Sequence, residues 1–501
     1  MKKLQFMAWP KLCTAVLIGA SALFMASCAQ DGFDSGESFN GTITSGDPLV
    51  APDASTFKVK SSSDRLTQTI SWTAVAGALD YQVWVYKSDN VIDESNPGTL
   101  FVNDSIVHNP YVSLPRVKDT YYHIKVRSAD NKAENNPGSP TVTDYVWNTF
   151  MLEITVPADE DQGGGDFYEY LKKNPIAKAI KDNGGKIVPL TYYFKANVDY
   201  KISNVVDLEG YNVTLASENE SSKATIKMES TAVLKTYGTF SLQNLIMNYE
   251  DCAKPVITLS DAPSEAILNE KSYYIISEVS IMGCELKKVQ HNLITSNGKQ
   301  YLVETFRVQN SILNFDISST GINAYLNMKN GCIKDVYIEN STLYNTGDND
   351  CQYFMQYQNN TRPDRYGYPD ATTSVNFNNS TFYNIADEQW ANYSGFVGGG
   401  RDKYSIIVAN NTIWMNCSKK KGTIKRILGQ QKPTTFKKVE LNYNTYWING
   451  KTEANAGDYD VSGTILDSDP GFKDASGGDF TPTNEAHLKN KAGDPRWLPA
   501  E

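Results

Sequence analysis

Three groups of side chains in this sequence could do chemistry. Arg307 and Glu339 fall in two similar segments, Phe306-Arg-Val-Gln-Asn310 and Val336-Tyr-Ile-Glu-Asn340, with Asp335 just ahead of the second and Tyr337 inside it. If both segments are strands, alternate side chains share one face. A cation and an acid on that face could neutralise a sugar carboxylate and take the proton beside it. The plainer reading of the pair is a surface ion pair. Asp348-Asn349-Asp350 has the alternating acids of a Ca²⁺ loop, and also the composition of an ordinary turn. Residues 419–438 contain Lys419, Lys420, Lys421, Lys425, Arg426, Lys432, Lys437 and Lys438 and no acid. In a chain of net charge −10 this local reversal of sign can attract a polyanion; a solvated loop has the same composition. Tyr337, Trp390 and Tyr393 are rings that could stack on sugar units where exposed.

The bulk composition narrows the field. The acidic balance argues against nucleic acid as a partner, because phosphate neutralisation needs a basic face. Thirty Tyr and many Asn suit β-structure with exposed aromatic surface. Cys252, Cys284, Cys332, Cys351 and Cys417 have no CxxC spacing and are odd in number, so they read as small core residues rather than a disulfide framework or zinc site. His108, His123, His291 and His487 are far apart, which disfavours a histidine metal site or triad.

The elements that must position these groups come from a repeat. Phe240–Asn244, Tyr274–Glu278, Phe306–Asn310, Val336–Asn340, Val375–Asn379 and Ile407–Asn411 align, recurring roughly every 30 to 40 residues, and Val439–Asn444 follows with one extra residue. Their third positions are Leu242, Ile276, Val308, Ile338, Phe377 and Ala409. A further apolar row begins three residues after each anchor: Met247, Ile281, Leu313, Leu343, Phe382 and Trp414. The first and third positions of each copy are apolar and period two puts them on one face, while the further row points inward again after a bend. Asn suits the bend because it tolerates a left-handed backbone, and stacked amides can hydrogen-bond along the column. Asn340, Asn379 and Asn411 are therefore expected one above another. A coil that cannot bury its apolar side alone must stack on its neighbours, and a leucine-rich horseshoe lacks support in the Leu spacing.

At the N-terminus, Lys2 and Lys3 precede the apolar run Ala15–Met25, which is short for a membrane span and ends in small residues. Ala26-Ser27-Cys28 resembles a bacterial lipobox, and the acidic start after it resembles the export signal of Bacteroidetes surface lipoproteins. This implies acylation at Cys28 and a lipid anchor in the outer membrane, facing the cell surface. The expected division is a signal peptide at 1–27, a tether at 28–50, a sandwich at 51–156, a linker and helical cap at 157–189, and a parallel β-helix with its closing segment at 190–501. The alternating strands around Ile70-Ser71-Trp72, Tyr81–Val85 and Tyr122–Ser128 resemble a fibronectin type III domain, with Trp72 in its core and Tyr122 at its corner, serving as a spacer.

The Asn-x-Thr steps Asn340–Asn345, Asn379–Asn384 and Asn411–Asn416 resemble the coils of pectate lyases, and the ending Asp469–Phe480 and Gly493–Trp497 resembles that of β-helix lipoproteins from gut Bacteroidetes. The fold class expected is all-β: a fibronectin-like sandwich followed by a right-handed parallel β-helix. That resemblance implies Glu339 as a Ca²⁺-binding acid and Ca²⁺ as the candidate cofactor; Asp335, by its place ahead of the strand, and Asp348 and Asp350, by their spacing, are the further candidate ligands. Arg362-Pro-Asp-Arg365 is similar to the arginine loop of such lyases, which would give Arg365 or Arg307 the role of base, although one spacer residue is missing and too few coils separate this loop from Glu339. The reading is a surface lipoprotein that binds acidic, pectin-like polysaccharide through Tyr337, Trp390, Tyr393, Lys419, Lys420 and Lys421, in a glycan uptake complex. A β-eliminating lyase and a structural or adhesive protein are the alternatives.

Overall fold

The computed structural model describes residues 49–61, 66–129, 138–158, 165–261, 274–357, 372–393 and 402–499. Cys28, the leader and tether, Arg365 and the side chain of Tyr393 lie outside the described residues. The chain divides into two compact units, Met1–Thr149 and Phe150–Glu501.

The first unit is built from seven strands, and along Thr67–Ser71, Asp80–Ser88 and Tyr121–Ala129 the side chains alternate between buried and partly exposed. The strands are β1 (Lys58–Ser61), β2 (Thr67–Ser71), β3 (Asp80–Ser88), β4 (Thr99–Val107), β5 (Tyr111–Pro115), β6 (Tyr121–Ala129) and β7 (Thr143–Asn148). They form two antiparallel sheets, ordered β1-β2-β5 and β4-β3-β6-β7. Ile70, Trp72, Val83, Val85, Tyr122, Ile124 and Val126 fill the core. Trp72 packs against Phe57 and edge-on against Tyr81. The Tyr122 hydroxyl accepts the Val117 N–H at 2.9 Å, tying the turn before β6 to the core.

The second unit is a parallel β-solenoid. The chain visits three sheets in turn and repeats, so every strand pairs with the equivalent strand one coil away. The first sheet has ten strands, from Leu152–Val156 to Lys438–Asn442; the third has seven, from Val205–Asp207 to Gln389–Tyr393. The second begins at Asp199–Ile202 and ends in a short antiparallel return at Lys451–Thr452. Leu152–Val156, expected in the sandwich, pairs in parallel with Leu190–Phe194 and so belongs here. Its alternation matches that of the sandwich strands, and only the pairing tells the two apart.

The inward column of the first sheet is Leu215, Leu242, Ile281, Val308, Ile338, Phe377, Ala409 and Leu441, all buried. Ile281 stands where Ile276 was expected. The repeat in that coil is Val279-Ser-Ile-Met-Gly283, five residues later than the sequence pattern suggested. The strand runs nine residues, Tyr274–Met282, and both of its halves alternate. Its bend residue is Gly283, at φ 62°, and not Asn, which hides the copy from a pattern built on Asn. In the last copy Tyr443, at φ 50°, holds the bend, and Asn444 follows it.

Large rings fill the later coils. Phe354 stacks on Trp390 at 4.4 Å, Phe382 stacks on Trp414 at 5.7 Å, and Phe377 meets Phe382, Trp390 and Trp414 edge-on. Both ends of this core are covered. Helices α1 (Phe167–Lys173) and α2 (Ile176–Asp182), separated at Asn174-Pro175, bury Phe167, Tyr170, Ile176 and Ile180 over Tyr192 and Phe194. At the other end α3 (Ile424–Ile427) takes the place of a third-sheet strand and sets Ile424, Ile427 and Leu428 into the core. The basic segment is thus first a plug. Buried Glu453 accepts the Thr423 N–H at 2.6 Å and so caps its start.

Residues 470–499 then run back along the outside of the second sheet as a strap. His487 meets Thr445 at 2.8 Å, the Gly493 N–H donates to Asn411 O, and Asp494 accepts from Thr342 Oγ1 at 2.7 Å. Trp497 Nε1 also donates to Thr342 Oγ1, at 2.8 Å.

Candidate functional site

The outward face of the first sheet is where the chemistry-bearing residues gather. Parallel pairing puts Arg307 beside Tyr337 and Gln309 beside Glu339 on neighbouring coils. The Arg307 guanidinium lies 4.4 Å from the centre of the Tyr337 ring, and its Nη1 contacts Glu339 Oε2 at 3.1 Å. On the other side its Nε is 4.0 Å from Glu278. Arg307 is therefore clamped between two carboxylates over an aromatic ring, and about a quarter of its side chain is open to solvent.

Beside this clamp, Asp335 is paired with Lys334 and accepts from Ser374 Oγ at 2.8 Å. Asn376 Nδ2 donates to Ser374 Oγ and to Val336 O. Further along, Asn442 Nδ2 donates to Asn410 Oδ1 at 2.9 Å, and Asn410 Nδ2 reaches Asn378 Oδ1 at 3.3 Å. This amide column extends the row that contains Glu339. Sequence reasoning missed Glu278, Lys334, Ser374 and the amide column. The doublets Asn378-Asn379 and Asn410-Asn411 carried the signal for the column.

Asn340, Asn379 and Asn411 share one bend, at φ 47°, 47° and 51°, in register with Asn244, Gly283 and Asn310. The N–H of Asn340 donates to Asn378 O, that of Asn379 to Asn410 O and that of Asn411 to Asn442 O. The expectation that these amides hydrogen-bond along their own column needs correction. The amide column lies one residue earlier, and the buried polar column one residue later. Ser311, Ser341, Ser380, Thr412 and Asn444 are fully buried. Ser341 Oγ accepts the Ser311 N–H, Ser380 Oγ accepts the Ser341 N–H, and Asn444 Oδ1 accepts the Thr412 N–H. Asn411 instead sends its amide to Asn490 O on the strap, at 2.5 Å. The bend turns the anchor side chain toward solvent and the next one toward the core.

The aspartates expected as metal ligands do not converge. Asp335 is on the first sheet, Asp348 is an exposed turn residue, and Asp350 lies at the edge of the ring core. Asp350 Oδ1 accepts from the Tyr325 hydroxyl at 2.6 Å and the Ala386 N–H at 3.2 Å. Desolvation pushes its carboxyl up to about 7, against those two hydrogen bonds. Among the described residues no three His, Cys, Asp or Glu are grouped to hold a metal ion. The residues present do not fit a Ca²⁺ site of that composition.

Trp390 is fully buried between Phe354 and Phe382 and is excluded as a sugar platform. The hydrophobic demand of the core claims this ring, which sequence position alone did not reveal. Lys420 pairs with Asp387 and Lys421 with Glu388, both acids from the preceding coil. Lys419 is exposed, next to Asp350 in the field of that corner. The sequence showed no acid in residues 419–438 because the neutralising acids come from another coil.

Three family models match successive stretches of the chain: residues 6–197, 198–346 and 336–497, each described as a domain of unknown function (DUF4992, DUF4957 and DUF5123). No curated protein and no solved structure matches it. The joints between the models fall within the solenoid, the first between the strands Leu190–Phe194 and Asp199–Ile202, the second across Cys332–Glu339. They therefore cut sheets that run on without a break.

Proposed function

We propose that this chain is a surface glycan-binding lipoprotein that holds acidic polysaccharide without cleaving it. In this reading Cys28 is acylated, the sandwich is a fibronectin type III spacer, and the solenoid is a right-handed β-helix of the pectate-lyase type serving a glycan uptake complex in the outer membrane. The three-plus-four strand order, buried Trp72 and the Tyr122 hydroxyl bond support the sandwich assignment. The right hand follows the rule for parallel crossovers.

The observation that carries binding over cleavage is the clamp on Arg307. A base in β-elimination must approach the proton beside the sugar carboxylate, with that carboxylate neutralised. Arg307 is committed to Glu339, Glu278 and the Tyr337 ring, and Asp335 to Lys334 and Ser374. Binding asks less. Donors and acceptors in rows along several coils suit an extended, hydroxyl-rich polymer, and Lys419, Lys425 and Lys432 form no ion pair among the described residues.

Affinity electrophoresis on polygalacturonate, beside an assay of unsaturated-uronate absorbance, tests the reading. Expected are retardation that weakens as salt rises, weaker retardation in Lys419→Ala, and no absorbance. Strong absorbance that disappears in Arg307→Ala or Arg365→Ala would establish the lyase instead. Salt-insensitive retention on polygalacturonate would remove the lysines from the account, and no retention on any glycan would favour a structural or adhesive role.

A further inference from the structure

The outer face of the four-stranded sheet in the first unit has no part in the solenoid site. Register across its strands lines up Leu100 on β4, Tyr86 on β3, His123 on β6 and Val146 on β7 in one row. The neighbouring row sets Trp84 beside Lys125, which faces Asp144. Trp84 and Tyr86 are two residues apart on β3, so both project from the same face, and both are partly exposed. The Tyr86 and His123 rings lie 5.9 Å apart. His123 Nε2 meets Asp144 at 2.6 Å and is fixed in place by it.

Around these rings stands a polar rim. Gln82 donates to Asp104 and is in register with Arg127. Gln82 Oε1 and Arg127 Nε are shielded and lack a hydrogen-bond partner among the described residues. Lys125 and Arg127 are matched by Asp104 and Asp144, so the rim has no net charge. At the edge strand, Asp104 takes a left-handed backbone, φ 46°, which interrupts the β3–β4 register and blunts the edge against strand addition. The face, not the edge, is what this sheet offers.

We propose that Trp84 and Tyr86, with His123 beside them, form a second saccharide-binding platform, one that takes uncharged sugar chains. Flat rings at strand spacing present apolar surface to the C–H face of a sugar ring. The balanced rim supplies donors and acceptors for hydroxyls without selecting for an anion. The inference extends the glycan-binding reading but rests on different residues in a different unit. Two such surfaces on one chain would raise avidity for a mixed cell-wall polymer.

The experiment is affinity electrophoresis of the full chain in gels containing mannan, mixed-linkage glucan or galactan, with polygalacturonate alongside. Wild type should be retarded by at least one neutral polymer. The Trp84→Ala/Tyr86→Ala variant should lose roughly tenfold or more in affinity for it, and Trp84→Phe should restore most of the loss. Retardation on polygalacturonate should be the same in all three proteins, so failure of the solenoid site and failure of this platform give different results. An unchanged circular dichroism spectrum and melting point show that the variant is folded. The proposal is overturned if no neutral polymer retards wild type, or if the double variant migrates as wild type does. It is also overturned if the substitutions abolish self-association on size-exclusion chromatography and leave sugar binding intact, because the face would then be a protein contact.

Discussion

Replacing Asp350 by Asn should stabilise the protein most at pH 8, less at pH 5, and hardly at all at pH 4. The carboxyl has an ordinary value near 4 in an unfolded chain, and burial holds it at about 7 in the fold. Between those two values the folded protein keeps a proton that the unfolded chain has released. Stability therefore falls as pH rises through this window. About three pKa units at about 1.4 kcal/mol each set an upper bound of about 4 kcal/mol, and relaxation around the charge brings the expected loss to about 2–4 kcal/mol. The amide oxygen of Asn can still accept from Tyr325 and from the Ala386 N–H, so the neutral form is a close mimic. Glu453, also pushed up to about 7 by burial, acts in the same direction. Adding Glu453→Gln to Asp350→Asn should reduce the fall in stability with rising pH further. Urea midpoints and melting temperatures from pH 4 to 8 measure this. A variant that keeps the full wild-type slope would show that the carboxylate is solvated in the native protein, and the reasoning would fail.

Ser380→Ala should cost about 1–3 kcal/mol, because the buried Ser341 N–H loses its acceptor; chemical denaturation reads this directly. Asn379→Gly should be nearly neutral and Asn379→Leu should cost about 1–2 kcal/mol from its φ of 47°, the difference between the two isolating backbone strain from side-chain contacts. His487, lowered to about 4 by burial against Thr445, contributes stability that is complete above pH 6.5 and lost as pH falls toward 4. Protection of the Glu485–Lys489 amides, corrected for the intrinsic pH dependence of exchange, should fall over that range, and protection that does not change with pH would contradict the assignment.

The inward columns were legible because they answer to one demand repeated in every coil. Phe377, Phe382 and Trp414 were read from period two and a constant offset, and the core contains them. What stayed hidden depended on pairing between coils. Leu152–Val156 alternates as sandwich strands do, and only its neighbour Leu190–Phe194 assigns it. The five-residue slip in Tyr274–Met282 arose because glycine replaced asparagine at the bend, where either tolerates a left-handed backbone. Trp390 looked available because a ring carries no mark of whether it faces a core or a polymer. Lys420 and Lys421 looked unpaired because Asp387 and Glu388 are distant in sequence and one coil away in space.

That slip bears on function. With Glu278 read as a bend residue, Arg307 had a single acid nearby, Glu339, and the pair resembled a base beside a ligand. In its true register Glu278 is an outward residue one coil away, paired with Thr305 in the row next to Arg307. The guanidinium then has an acid on each side and a ring beneath it. An arginine must lose a proton to act as a base, and this one is held in ion pairs by a carboxylate on each side. The same carboxylates compete with an incoming uronate for the guanidinium N–H groups. Arg307 therefore suits a neutral stretch of polymer better than an anionic one, leaving the exposed lysines at the solenoid end to recognise charge. Glu278→Gln tests this division. It should strengthen retention on polygalacturonate by freeing part of the guanidinium, with no gain in β-elimination. Appearance of cleavage in that variant would mean that Arg307 can serve as a base once one side of the clamp is released, and the non-cleaving reading would fail.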